Sequence, residues 1–234
     1  MQKVHRKQYR HLFFDLDRTL WDYDANSREA FRDLLPSYLP GKEVDPDHFF
    51  RLFNLHNEHL WGEYRRFNIS KDFLRTERFK RVFEEYGIQD EKLASRMNDD
   101  YLRVAPQKKA LVPDAKDVIA ELSEKYELYI ITNGFTEVQL IKLKESGLSP
   151  FFKKVFTSDM AGETKPSSAI FHFALTSVQA RKTESLMIGD DLEVDVMGAR
   201  NYGIDQVYYN PGGLVHHEAV SYEIRSLAEL RNIL

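Results

Sequence analysis

Residues 9–14 are short, aromatic-rich and mainly apolar and end against Asp15, the pattern of a short strand buried on both faces of a parallel sheet. From Trp21 to about Lys109 the apolar positions recur at helical spacing instead. Ala30, Phe31, Leu34, Leu35 and Tyr38 share one face behind the capping candidates Asp24, Asn26 and Ser27. Asp45-Pro46 offers a cap followed by proline at the first helical position, and leads into Phe49, Phe50, Phe53, Leu60, Trp61 and Tyr64. A third helix is expected from Ser70 to a stop at Gly87, and a fourth from near Asp90 to a stop before Pro106. Four amphipathic helices in succession predict a small bundle.

After Pro113 helix and strand alternate. A helix carrying Val118, Ile119, Leu122 and Tyr126 precedes the strand 128–131, which ends at Thr132. Helices over 137–146, 167–178 and 194–202 then separate strands over 154–156, 185–188 and 206–209, with Gly147 and Gly203 closing two of the helices. Pro211-Gly212-Gly213 reads as a turn, and 226–234 as a last helix packed through Leu227, Leu230 and Ile233. This rhythm predicts an α/β fold with a Rossmann-like parallel sheet. Because the sheet neighbours of the first strand come only after residue 113, the bundle is an insertion. Residues 1–20 and 110–234 are expected to form the sheet domain, and 21–109 a helical domain.

The 234 residues are 42% hydrophobic and 30% charged, ordinary for a soluble globular chain, with no apolar run near the roughly 20 residues of a membrane span. A net charge of −4 offers no basic field to a nucleic-acid polymer. Lys3, Arg6, Lys7 and Arg10 make a basic start with no apolar segment behind it, so no secretory leader is expected. With zero cysteines there is no disulfide, no thiolate nucleophile and no thiolate zinc site, which suits a reducing cytoplasm.

Candidate chemistry collects where strands end. Asp15-Leu16-Asp17-Arg18-Thr19 follows the first strand, and Thr132-Asn133 the second; Lys165-Pro166 is placed to open a helix, and Gly189-Asp190-Asp191-Leu192-Glu193-Val194-Asp195 closes a later strand. Singly, each has a plainer reading as a turn former, a cap or a helix-opening proline. Together they matter, because ligands of an open parallel sheet bind outside the carboxyl ends of its strands. Asp15, Asp17, Asp190 and Asp195 in one pocket would raise one another's pKa values unless a cation were present. Carboxylate oxygens without His or Cys point to Mg²⁺, whose shell a substrate phosphate completes. The expected substrate is therefore a small-molecule phosphate ester. His56 and His59, three apart on one helix, suit a solvated face better than zinc, and His216-His217 suits an exposed loop. Trp61, Tyr64, Arg65 and Arg66 have two readings: bundle core with surface arginines, or an aromatic and basic cluster that stacks on a polar leaving group.

These four stretches, in this order, resemble the motifs of the haloacid dehalogenase (HAD) superfamily, and the helical insertion resembles its C1-type cap. The resemblance extends over essentially the whole chain. It implies Asp15 as nucleophile, Asp17 as general acid and base, and Thr132 with the backbone amide of Asn133 as phosphoryl-binding groups. It implies Lys165 as the cation that neutralises nucleophile and phosphoryl group. The implied metal shell is the Asp15 carboxylate, the Asp17 backbone carbonyl, Asp190 and waters, with Asp195 as outer support. Asp17 favours phosphoryl chemistry, since the dehalogenases lack an acid there. Arg18 stands where the sugar-phosphate members usually carry glycine. The run from Asp15 to Asp22, Asn26-Ser27, Leu60-Trp61, Thr132-Asn133-Gly134-Phe135 and Met187-Ile188-Gly189-Asp190-Asp191 instead resembles 5′-nucleotidases of the YjjG type. That subgroup implies nucleoside 5′-monophosphates as substrates, often pyrimidine or noncanonical, Mg²⁺ or Mn²⁺ as cofactor, and Arg18, Trp61, Tyr64 and Arg65 as substrate contacts. The alternatives are a phosphatase for sugar phosphates or phosphoglycolate, and a binding protein that keeps the fold without turnover. No membrane partner is expected, and the chain is expected to be a monomer or homodimer.

Overall fold

A computed structural model describes residues 8–234; Lys3, Arg6 and Lys7 of the basic start lie outside them. The chain divides into two compact units, one made by the chain up to Asp22 together with Ala110–Leu234, the other by Tyr23–Lys109. The first unit is built on six parallel strands: β1 (His11–Phe14), β2 (Glu127–Thr132), β3 (Phe152–Thr157), β4 (Ser185–Gly189), β5 (Asp205–Tyr209) and β6 (Tyr222–Ile224). Their order across the sheet is β3-β2-β1-β4-β5-β6. Phe14 lies opposite Ile130 on one side and Ile188 on the other, so β2, ending at Thr132, and β4, ending at Gly189, run slightly past the end of β1. Phe13, Tyr129, Ile131, Phe156 and Met187 pack one face with Ile170, Phe171 and Ala174 from a covering helix. Burial on both faces explains why these strands read as continuous apolar runs.

The second unit holds four helices, α1 (Tyr23–Tyr38), α2 (Pro46–Arg65), α3 (Lys71–Glu85) and α4 (Glu91–Val104). Asp45, Ser70 and Asp90 cap the last three, each accepting a backbone N–H of the first turn. Phe31, Phe49, Phe53, Phe79, Phe83 and Met97 form the core among these helices. Helix α1 begins at Tyr23, so Asp24, Asn26 and Ser27 lie inside it and not at its cap. Asn26 and Ser27 are buried, and the Ser27 hydroxyl stands 2.8 Å from that of Tyr101, a core partner and not a helix end.

Around the sheet run α5 (Ala115–Ser123), α6 (Thr136–Glu145), α7 (Ser158–Ala161), α8 (Ser168–Ser177), α9 (Gly198–Tyr202) and α10 (Leu230–Ile233). Two chain segments leave and re-enter the first unit side by side: the Asp22 amide donates to the Ala110 carbonyl at 3.1 Å, and Val112 to Leu20 at 2.9 Å. Three further expectations need correction. Lys165-Pro166 does not open a helix: its peptide bond is cis, α8 starts at Ser168 under a Ser167 cap, and the Lys165 amide donates to Asn133 Oδ1 instead. The helix expected over 194–202 begins earlier, as a π-helical turn over Leu192–Met197, where Asp195 and Val196 both donate to the Asp191 carbonyl. His216 is no exposed loop residue, because its ring packs edge-on against Tyr208 at 5.2 Å and reaches Glu223 at 3.2 Å. Among the described residues no helix is long and apolar enough to cross a membrane.

Candidate active site

Asp15 leaves the end of β1 with its amide bonded to the Ile188 carbonyl at 2.9 Å, which seats it between the ends of β2 and β4. Its carboxylate meets Lys165, whose Nζ lies 2.6 Å from Asp15 Oδ1, 2.6 Å from Asp195 Oδ1 and 2.8 Å from the Ile131 carbonyl. The contacts to Asp15 and the Ile131 carbonyl are hydrogen bonds, and the one to Asp195 is an ion pair. The lysine is 1% exposed, so its position is fixed by packing as well as charge. The Asn133 side chain secures the segment that carries it, donating through Nδ2 to the Lys165 carbonyl at 2.9 Å and accepting the Lys165 amide at 2.7 Å.

Asp190 follows β4 and is held by Thr19, whose buried hydroxyl donates to Asp190 Oδ1 at 2.9 Å and accepts the Asp190 amide at 3.1 Å. Asp15, Asp190 and Asp195 each bring an oxygen within 4.8 Å of the others. Among the described residues this is the one grouping of three or more potential metal ligands, and His56 and His59 belong to none. Burial pushes the Asp15 carboxyl up to about 7, with Lys165 pulling the other way and Asp195 adding to the rise. Burial, then Asp15 and Asp195, drive Asp190 well above the usual carboxylate range; burial also raises Asp195, against Lys165. For Lys165, the two carboxylates outweigh burial and hold its pKa above the ordinary lysine value. Three carboxylates against one buried lysine leave a deficit of positive charge. The oxygen-only donor set fits a divalent magnesium-type cation at this spot.

Thr132 ends β2. Its hydroxyl oxygen accepts the Gly134 amide at 3.1 Å and the Gln139 amide nitrogen at 2.7 Å. With both acceptor positions filled, the group it has left to offer is its proton. Asp17 points away from the three clustered carboxylates: its oxygens take Lys142 Nζ at 2.6 and 2.8 Å, and Gln139 Nε2 at 2.9 Å. Arg18, next in the loop, has φ +63°, a left-handed backbone that suits glycine far better than arginine.

The structure thus brings together Asp15, Lys165, Asp190 and Asp195, and links Thr132 to Asp17. Trp61, Tyr64 and Arg65 belong to the other unit, on the last turns of α2. There Trp61 and Tyr64 meet edge-to-face at 5.5 Å, half-buried and outside the aromatic core of that unit. Sequence reasoning missed Gln139 and Lys142, which look like ordinary polar residues of a helix surface. The signal that was available is the pair Leu140-Ile141 beside them, which falls out of phase with a buried face.

Known proteins resemble this chain along most of its length. The family described as haloacid dehalogenase-like hydrolase matches residues 12–208. Pyrimidine 5′-nucleotidase PynA of Streptococcus pneumoniae is 34% identical over 97% of this chain and 95% of its own length. Ribulose-1,5-bisphosphate 5-phosphatase of Halopiger xanaduensis is 32% identical over 86% of this chain and 84% of its own. A magnesium-bound crystal structure of the HAD-hydrolase YfnB from Bacillus subtilis superposes with a TM-score of 0.87 at 31% identity, covering 97% of this chain and 99% of that one.

Proposed function

The chain belongs to the haloacid dehalogenase-like hydrolases and is a phosphatase, and from that premise we propose that it removes the phosphate from nucleoside 5′-monophosphates through a phosphorylated Asp15. The observation that carries the substrate class is the identity to PynA along nearly the full length of both chains. The chemistry follows from the strand-end residues. Asp15 attacks phosphorus, so a bond forms between its oxygen and phosphorus while the bond to the nucleoside oxygen breaks. Asp17 gives its proton to the departing alkoxide. In the second half, Asp17 takes a proton from water, the water oxygen attacks phosphorus, and the bond to Asp15 breaks to release phosphate. Lys165 keeps the Asp15 carboxylate oriented throughout, through the 2.6 Å contact. The Thr132 proton and the Asn133 amide are the donors for the phosphoryl oxygens.

Asp15, Asp190 and the backbone carbonyl of Asp17 would hold Mg²⁺, with Asp195 steadying Lys165 behind them. When bound, the ion supplies positive charge to the phosphoryl oxygens. The helical unit acts as the cap in this reading, and its Trp61, Tyr64 and Arg65, with Arg18 of the sheet unit, are the candidate contacts to the nucleoside. A chain without cysteines suits a reducing cytoplasm. One observation favours a second reading: the identity to the Halopiger enzyme is nearly as high, and that protein acts on a sugar bisphosphate.

A substrate panel separates the two. Phosphate release with Mg²⁺ is compared across pyrimidine and purine nucleoside 5′-monophosphates, sugar phosphates and phosphoglycolate. A kcat/KM at least tenfold higher for nucleotides is expected; preference for a sugar phosphate would keep the mechanism and reject the nucleotidase assignment.

A further inference from the structure

Helix α6 buries two polar residues, Gln139 and Lys142, beside the apolar Val138 and Leu143. Gln139 and Lys142 are 0% and 6% exposed, while Leu140 and Ile141 between them are 48% and 38% exposed. A helix packed for burial alone would turn the leucine and isoleucine inward and leave amide and ammonium in water. Local preference and observed packing disagree here, which is the mark of a position held for chemistry.

The two buried groups converge on Asp17. The Lys142 ammonium sits 2.6 and 2.8 Å from the two oxygens of Asp17 and 4.4 Å from the centre of the buried Trp21 ring. Gln139 Nε2 donates to Asp17 Oδ2 at 2.9 Å and to Thr132 Oγ1 at 2.7 Å, so one amide spans both groups. Carboxylate oxygens accept, which fixes the amide with its nitrogen inward. The cost is visible, because Gln139 Oε1 is buried with no partner among the described residues. Room for the side chain comes from Gly134, where a Cβ would fall on the Gln139 amide.

We propose that Lys142 and Gln139 are positioning residues for Asp17, fixing the carboxylate that moves the proton in both half-reactions and tying it to the Thr132 hydroxyl. This rests on the reading of Asp17 as acid and base. Neither residue touches the phosphoryl group; both act through Asp17. Their loss therefore matters in proportion to how much the leaving group needs a proton.

The test compares Lys142→Met, Gln139→Leu, Asp17→Asn and the double variant Asp17→Asn/Lys142→Met in the Mg²⁺-loaded enzyme. Leaving-group release in the first turnover is followed with a nucleoside 5′-monophosphate and with p-nitrophenyl phosphate, whose phenolate departs without a proton. The expected result for Lys142→Met and Gln139→Leu is a loss of about 10² in the rate with the nucleotide, under tenfold with p-nitrophenyl phosphate, and KM within about threefold. Lys142→Arg is expected to recover at least tenfold of the loss. The double variant is expected to be no slower than Asp17→Asn alone. Equal losses on both substrates, or losses that multiply in the double variant, overturn the positioning role. Should Lys142→Met fail to fold, Gly134→Ala, which displaces the Gln139 amide, carries the same expectation. An Asp17→Asn variant with wild-type rates on both substrates would instead reject the assignment of Asp17 itself.

Discussion

Gly189 and Asp195 lie so close that a Cβ on residue 189 would fall on the Asp195 carboxylate. Glycine at the end of β4 is therefore what lets the π-helical turn bring Asp195 up to Lys165, and Lys165 in turn reaches Asp15. Gly189→Ala has to move the buried carboxylate, and overpacking of this kind costs about 1–3 kcal/mol. The expected outcome is a loss of at least tenfold in kcat with KM little changed, checked by steady-state kinetics beside urea denaturation.

The buried carboxylates link metal and pH. Asp15, Asp190 and Asp195 all bind protons more tightly in the folded metal-free chain than in the unfolded one. Their contribution to stability is fully present below the unfolded carboxylate range, near pH 4, and is lost as pH rises through about 7, the value for Asp15. Metal-free protein should therefore lose several degrees of Tm between pH 5 and pH 8, at about 2–4 °C per kcal/mol for a chain of this size. Millimolar Mg²⁺ should restore most of it at pH 8 and little at pH 5. A Tm that rises with pH in EDTA would reverse the sign of this argument.

Arg18 occupies a left-handed backbone position at φ +63°. A β-branched residue there is more strained than arginine, whereas glycine is unstrained but loses more chain entropy on folding. Arg18→Val is expected to cost about 1–2 kcal/mol in urea denaturation, and Arg18→Gly less than about 1 kcal/mol. A larger loss for Arg18→Gly would mean that the side chain, not the backbone, decides this position.

Much of this site is legible in the amino-acid sequence because the sheet buries its strands on both faces. An apolar run then ends visibly at the polar residue where chemistry begins, as at Phe14-Asp15, Ile131-Thr132 and Gly189-Asp190. The capped helices α2, α3 and α4 are legible for a similar reason, since Asp45, Ser70 and Asp90 each satisfy a free N–H. What stays hidden is set by tertiary contacts. Lys142 and Gln139 have no pattern of their own, because their partner Asp17 lies more than a hundred residues away. The three-residue strand β6 at the sheet edge carries too few apolar positions to show a period. Asn26 and Ser27 mimic caps while serving the interior of the helical unit.

Arg78 of α3 is a further buried cation. It is 4% exposed, donates to Asn57 Oδ1 at 3.2 Å and Asn98 Oδ1 at 3.0 Å, and faces the rings of Phe53, Phe79 and Tyr101. Burial lowers its pKa. Arg78→Ala leaves two buried carbonyls without donors and a cavity beside the rings. It should destabilise the chain by about 3 kcal/mol in urea denaturation. A change under 1 kcal/mol would show that the two asparagines find other partners.

In this mechanism the phosphoryl group passes through Asp15. Enzyme mixed with excess nucleoside 5′-monophosphate and Mg²⁺ is quenched in acid within the first turnover, and its peptides are weighed. One phosphoryl group is expected on the peptide containing Asp15, absent from Asp15→Asn, which also turns over at least 10³-fold more slowly. A phosphoryl group on any other residue, or turnover by Asp15→Asn at the wild-type rate, would contradict it.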